Sequence, residues 1–252
     1  MQIELIGCTS AGKSSLSQQV IQRRQQNGVQ VLTSYEFVLD WAHFGWLKNH
    51  KARMAVLNVV ALIACLLAWP RNRAFYRFVS GAIRRLPSTV RPAEKLKIAR
   101  IAARNIGIDE IVRRGSKPKQ IVLADEGTLH IANYLFVHAS HEPNLKDLNA
   151  FLNLVSLPDA AVYLRQSPSV LVDRTMRRGH KRIPDGSPML VSSFISHSLE
   201  VFEHMTSDPT IGERLLIFCN GDIVTPGASP ELEPETHLAL AREIFKAPAA
   251  RA

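Results

Sequence analysis

One short motif near the start of the chain constrains the fold more than any other feature. Residues 7–14 read GCTSAGKS and fit the pattern G-x-x-x-x-G-K-[ST] at every fixed position. An apolar run at 2–6 precedes the motif, and a helical pattern at 15–27 follows it. A glycine-containing turn between a strand and a helix surrounds phosphate oxygens with backbone N–H groups. The motif therefore predicts a phosphate-binding loop, called the P-loop below.

The residue types in this loop assign roles to its members. The Lys13 ammonium is expected to reach the β- and γ-phosphates of a nucleotide, and the Ser14 hydroxyl to ligate Mg²⁺. The residues expected to bind the phosphates are Gly7, Thr9, Ser10, Ala11, Gly12, Lys13, Ser14 and Ser15.

Further short apolar runs alternate with helical stretches along the chain. In such an order a helix connects each strand to the next, which favours parallel pairing. We therefore expect an α/β fold with a five-stranded parallel sheet and helices on both faces. The five predicted strands are 2–6, 29–33, 120–124, 160–164 and 215–219.

The charge distribution divides the chain. Of 31 Lys and Arg residues, 17 lie in residues 41–119, which hold only 3 of the 22 Asp and Glu residues. We therefore predict a core formed by residues 1–40 and 120–246, a basic helical insert at 41–119 and a flexible tail at 247–252.

Three widely spaced cysteines indicate no disulfide framework, and no signal peptide is evident. A cytoplasmic protein is expected, and association with a membrane is left open as an alternative.

The insert contains an apolar run at 54–69, where Asn58 is the only strongly polar residue. Basic residues flank the run within 48–77, at positions 48, 51, 53, 71, 73 and 77. Several interpretations remain open. The run could be a helix buried against the core or forming a homodimer face, an interfacial helix on anionic lipid, or a spanning helix. A nucleic-acid arm is not expected, because the run lacks polar and interleaved aromatic residues.

Carboxylates follow two of the predicted strands. Asp125 comes directly after the strand at 120–124 and is the candidate magnesium ligand. Glu126 could assist the metal, act as a general base or bind substrate. Glu36 follows the second strand and could take the proton of an acceptor hydroxyl. The sequence does not decide which glutamate is the base.

A basic segment follows the fourth predicted strand. Arg174, Arg177 and Arg178 fall at i, i+3 and i+4, so that they share one side of a predicted helix. Such a cluster can close over a transferred phosphoryl group and stabilise its charge. Asn220 and Asp222 follow the last strand in a predicted turn that could lie beside a nucleotide base.

Four segments in this order resemble P-loop small-molecule kinases of the thymidylate kinase and nucleoside kinase group. They read GCTSAGKSS, ADEG, LPDAAVYLRQSPSVLVDRTMRRG and IFCNGD. The resemblance implies a five-stranded parallel core, ATP with Mg²⁺ as the phosphate donor, and a mobile arginine-bearing lid. The family commonly has Arg where this chain has Glu126, and it places the acceptor site in the region of the insert.

The expected function is transfer of the ATP γ-phosphate to a small-molecule acceptor, such as a nucleoside or nucleotide. The catalytic candidates are Lys13, Glu36, Glu126, Arg174, Arg177 and Arg178, and the metal ligands are Ser14 and Asp125. The alternative is a P-loop NTPase that acts as a nucleotide-dependent switch or membrane-associated binding module. The arginine cluster favours the kinase, because a simple switch does not require it.

Overall fold

The computed structural model describes residues 1–22, 30–117, 120–183 and 186–219, and the backbone of 222–224. Within these ranges six strands form one sheet in the order β2-β3-β1-β4-β5-β6, where the strands are β1 (Gln2–Ile6), β2 (Gln30–Thr33), β3 (Gln120–Ala124), β4 (Ala160–Arg165), β5 (Leu215–Cys219) and β6 (Asp222–Val224). The first five are parallel, which confirms the predicted sheet. The sixth is antiparallel to β5, where the sequence predicts only a turn.

The central strand explains why the sequence shows continuous apolar runs. All five residues of β1 are buried, and Ile3 pairs with Leu123 on one side and Ala160 on the other. A strand covered on both faces does not need to alternate apolar and polar residues. On β3, Val122 packs in one apolar cluster while Ile121 and Leu123 pack in another. Because successive side chains point to opposite faces, apolar residues cover both sides of the sheet at β3.

Ten helices occur in the described ranges. They are α1 (Lys13–Gln22), α2 (Ser34–Trp41), α3 (His50–Leu67), α4 (Arg73–Arg85), α5 (Pro92–Gly115), α6 (Ile131–Phe136), α7 (Leu145–Leu152), α8 (Pro168–Arg178), α9 (Pro188–Thr206) and α10 (Pro209–Gly212). The first begins at Lys13 rather than at the predicted Ser15, because the last residues of the motif form the first helical turn. The predicted tail at 247–252 lies outside the described residues.

The region between β2 and β3 is helical, and its longest helix contributes to both cores. Helix α5 supplies Ile98 and Ala102 to one apolar cluster and Ile108 and Ile111 to the other. The predicted boundary between core and insert remains a prediction.

Helix α3 covers the predicted apolar run and packs through a narrow face. Its buried residues are Leu57, Ala61 and Cys65. A Cβ atom on Gly107 of α5 would overlap the Ala61 carbonyl, so the two helices are in very close contact there. Among the described residues α3 alone is long and apolar enough to span a membrane, yet only a small part of it is buried inside the protein.

Candidate functional site

The P-loop has the backbone conformation of an anion-binding turn. Gly7, Ser10 and Gly12 have φ of +137°, +62° and +100°. Positive φ is accessible to glycine at little cost and is uncommon for other residues. A Cβ at Gly7 would lie 2.8 Å from the Leu164 carbonyl oxygen of β4, so both conformation and space require glycine there.

Lys13 lies at the centre of this loop. Its Nζ donates hydrogen bonds to the carbonyls of Gly7 (2.6 Å) and Cys8 (2.8 Å). Burial lowers the pKa of this ammonium, because removal from water disfavours the charged form. The nearby carboxylates of Glu126 and Asp125 act in the opposite direction. The two carbonyl oxygens are neutral acceptors. A phosphate at the loop would give the Lys13 ammonium an anionic partner and a stronger, charge-assisted hydrogen bond.

Asp125 follows β3 beside the P-loop, and its environment fits a divalent cation. Its Oδ1 is buried and has no hydrogen-bond partner among the described residues. Burial raises the pKa of this carboxyl, and the hydroxyls of Ser17 and Ser14 oppose that rise together with Lys13. An unpaired carboxylate oxygen close to a serine hydroxyl is a donor set that Mg²⁺ accepts. Ser14 and Asp125 would therefore hold the metal.

The basic helix α8 closes over the P-loop and is called the lid. Thr175 Oγ1 donates to Ser10 Oγ (3.1 Å), and Arg174 Nη1 lies 3.4 Å from the Ser10 carbonyl oxygen. Arg174 and Arg178 both line the cleft beneath the lid. Arg177 does not join them, because its Nε donates to Asp173 (3.0 Å) on the exposed side of the helix. Two of the three predicted arginines, Arg174 and Arg178, therefore line the cleft, and Arg177 does not.

Two clefts border the P-loop, and the larger of them lies between the P-loop and the lid. It encloses about 1150 Å³, and its walls include Thr9 to Ser15, Glu126, Tyr134 and Gln166. Four further basic residues line it that the sequence analysis did not assign, namely Lys97, His180, Lys181 and Arg182. Lys181 and Arg182 follow the lid arginines closely in sequence, and this proximity could have indicated that they line the same cleft. Lys97 comes from α5, and no pattern in the sequence around it indicated that it would line the cleft.

Arg182 is the most enclosed of these four residues. It donates to the Asn133 carbonyl (3.1 Å) and to that of Val137, and it pairs with Glu94 (3.4 Å). Burial lowers the pKa of this guanidinium. Its contacts therefore join α5, α6 and the segment after the lid.

The smaller cleft encloses about 370 Å³, within the range of small-ligand sites. Thr33 lines it from the end of β2, Ser34 and Tyr35 line it from the start of α2, and Arg104 lines it from α5. The Arg104 guanidinium lies 5.5 Å from the centre of the Tyr35 ring. The Arg104 Nε is buried without a hydrogen-bond partner in the described ranges. An aromatic ring and a guanidinium therefore line this cleft side by side.

The two candidate bases have different surroundings. Glu126 lines both clefts, accepts a hydrogen bond from the Tyr134 hydroxyl (3.1 Å) and lies 3.8 Å from His130 Nε2. Glu36 accepts hydrogen bonds from both the N–H and the hydroxyl of Thr33 at 3.0 Å, which forms a capping box at the start of α2. The geometry favours Glu126, and the assignment of either residue as a base remains a prediction.

A buried carboxylate that the sequence analysis missed supports the loop after Glu126. Glu4 of β1 is fully buried and accepts backbone hydrogen bonds from Gly127 (3.1 Å), Leu129 (3.2 Å) and His130 (2.8 Å). Desolvation raises the pKa of Glu4 to about 7, although these hydrogen bonds favour its charged form. The available signal was a single carboxylate within the apolar strand QIELI.

The last predicted site residues are only partly covered. Asn220 lies outside the described residues. The backbone of Asp222 begins β6, and its side chain lies outside the described part. Their proposed position beside a nucleotide base remains a prediction.

Among known proteins, this chain is similar to solved structures but to no protein-family model or curated sequence. A structure of deoxyadenosine kinase from M. mycoides with dCMP and dCDP matches at 13% identity and a TM-score of 0.47, covering 98% of this chain and 99% of that one. The same enzyme with dCTP matches at 14% identity and a TM-score of 0.44, again covering 98% and 99%. These neighbours are nucleoside kinases and not thymidylate kinases. Likeness this distant does not bear on what the chain acts on.

Proposed function

We propose that the protein is an ATP-dependent phosphotransferase that moves the γ-phosphate of ATP to a hydroxyl of a small acceptor molecule. The observation that supports this best is that both clefts open onto Lys13, Ser14 and Glu126. A phosphate held by the P-loop in the larger cleft therefore faces an acceptor held in the smaller one. A protein that only senses or hydrolyses a nucleotide does not need this second cleft.

On the donor side, each residue binds or neutralises phosphate. ATP with Mg²⁺ supplies the phosphoryl group and the metal charge, while the backbone amides of the P-loop bind the phosphate oxygens. Lys13 exchanges the carbonyls of Gly7 and Cys8 for the β- and γ-phosphates. Arg174 and Arg178 offset the charge that spreads over the phosphoryl oxygens during transfer.

On the acceptor side, Glu126 takes the proton of the attacking hydroxyl. The Tyr134 hydroxyl fixes the orientation of this carboxylate. Tyr35 and Arg104 offer a ring face and hydrogen-bond donors, which suit a planar polar group. A nucleoside combines such a group with a free hydroxyl, so nucleosides are the first acceptor class to test.

An acceptor screen tests the reaction. The protein, ATP and Mg²⁺ are incubated with nucleosides, nucleoside monophosphates, sugars and polyprenyl compounds, and mass spectrometry detects an added phosphate. Transfer to one class is expected, and Lys13→Ala should abolish it. Lys146→Ala, at an exposed position of α7 outside both clefts, should transfer normally. No transfer to any class, together with acceptor-independent hydrolysis, would support the switch instead.

A matched pair of variants separates the two glutamates. Glu126→Gln removes the base and should lower kcat by about 10²–10⁴-fold. Glu36→Gln removes the same charge but keeps the capping box, which accepts Gln as well as Glu, and should retain most activity. The opposite pattern would assign the base to Glu36.

A further inference from the structure

Helix α3 exposes a broad apolar stripe to solvent. Val59, Leu62, Ile63, Leu66 and Leu67 are each about half exposed or more, from 49% to 69%. Their spacing places them on one side of the helix, opposite the buried face that packs on α5. Exposed apolar residues scattered singly are ordinary, whereas a continuous stripe of this size marks an interaction surface.

The three tryptophans of the chain flank this helix in sequence, and all are exposed. Trp41 (50%) and Trp46 (71%) precede α3, and Trp69 (49%) follows it. Tryptophan combines a large apolar ring with an N–H donor, and it is enriched where lipid meets water. Exposed tryptophans on both sides of α3 in sequence fit a helix lying in that boundary.

The polar residues around the stripe carry one sign of charge. Residues 41–93 contain nine Lys and Arg residues and no Asp or Glu. Lys48 and Lys51 are exposed at the start of α3, and Arg73 and Arg77 are exposed beyond its end. An apolar stripe bounded by cations at both ends complements a surface of anionic headgroups.

We infer that α3 and its flanking residues, over 48–77, bind the protein to the surface of a bilayer containing anionic phospholipid. The inference goes beyond the phosphotransfer proposed above. A second copy of the chain fits less well, because both ends of α3 are basic. Two such helices paired symmetrically would bring cations against cations in either direction. The close contact between Ala61 and Gly107 keeps α3 along the side of the protein, so it lies on the membrane rather than across it.

Vesicle flotation tests this inference. The full chain is mixed with vesicles of phosphatidylcholine alone or of phosphatidylcholine with phosphatidylglycerol. We expect it to float with the anionic vesicles and far less with the neutral ones, and to be released as salt is raised. Replacing Lys48 and Lys51 by Gln should weaken binding by about fivefold for each cation removed.

The stripe itself is tested with matched double variants. Leu62→Glu with Leu66→Glu should abolish flotation, while circular dichroism and ATP binding stay unchanged. Leu96→Glu with Met189→Glu, which alters apolar residues elsewhere that are even more exposed, should float normally. Failure of the parent chain to bind anionic vesicles overturns the inference. So does a dimer in light scattering that the Leu62 and Leu66 changes convert to monomer, because a second copy would then cover the stripe.

Discussion

Glu4→Gln removes one charge from the centre of the sheet at nearly constant side-chain size. The Glu4 carboxylate is fully buried in β1, and its three backbone partners form the loop that follows Glu126. Substitution by Gln replaces one acceptor oxygen with an NH₂ group that faces a donor. We therefore expect the loop to shift and phosphotransfer to fall, because Glu126 is displaced.

The size of the stability effect follows from the raised pKa of Glu4. That pKa rises from 4.5 to about 7 on folding, chiefly because burial desolvates the charge. An acid with a raised pKa stabilises the fold fully below the unfolded-state pKa, and this stability is lost as pH rises through the folded-state pKa. At about 1.4 kcal/mol per pKa unit, the loss between pH 4.5 and pH 8 is roughly 3 kcal/mol. The Gln side chain of Glu4→Gln does not titrate, so the variant does not lose this stability as the pH rises.

Urea unfolding of both proteins at pH 4.5 and pH 8 measures the difference. The stability of Glu4→Gln relative to the parent should rise by roughly 3 kcal/mol between the two pH values. Glu142→Gln, at an exposed position, should follow the parent at both. Equal pH dependence in the parent and Glu4→Gln would refute the reasoning. A relative fall at pH 8 would show that the three N–H donors outweigh desolvation.

Two further matched pairs test the lid and the packing of the insert. Arg178→Ala should lower kcat by about 10²–10³-fold, since one phosphate-facing cation is lost. Arg177→Ala, which removes only an exposed pair with Asp173, should leave kcat nearly unchanged, and equal kcat values for the two variants would contradict the assigned roles. Gly107→Ala should destabilise the protein in urea by about 1–3 kcal/mol or more, because its Cβ overlaps α3. Gly81→Ala, whose Cβ meets only a flexible arginine end, should be neutral or slightly stabilising, and similar unfolding midpoints for the two glycine variants would argue against the close helix contact.

The features that sequence predicted well are local. The loop after β1 and the residues directly after β3 are fixed by neighbours in the chain, so their positions followed from the motif and from the apolar runs. Asp125 is an example, because the carboxyl end of β3 brings it beside Ser14. The pairing of Arg177 with Asp173 is also local at i, i+4, but it was overlooked when Arg177 was predicted to join the catalytic arginines.

The features that sequence could not predict depend on distant segments. Glu4 lies more than 120 residues from its hydrogen-bond partners. Arg104 and Lys97 line the clefts from α5, which is distant in sequence from the P-loop, and no pattern in α5 itself shows this. The exposure of α3 was equally hidden, since a run of apolar residues is compatible with burial in a core.

The balance of products from ATP tests the proposed phosphotransfer most directly. With a responsive acceptor, ADP and phosphorylated acceptor should form in equal amounts with little free phosphate, because the two clefts meet at Lys13 and Glu126. Phosphorus NMR of one reaction mixture measures all three species. Release of free phosphate at a rate and yield independent of any acceptor would contradict the proposal.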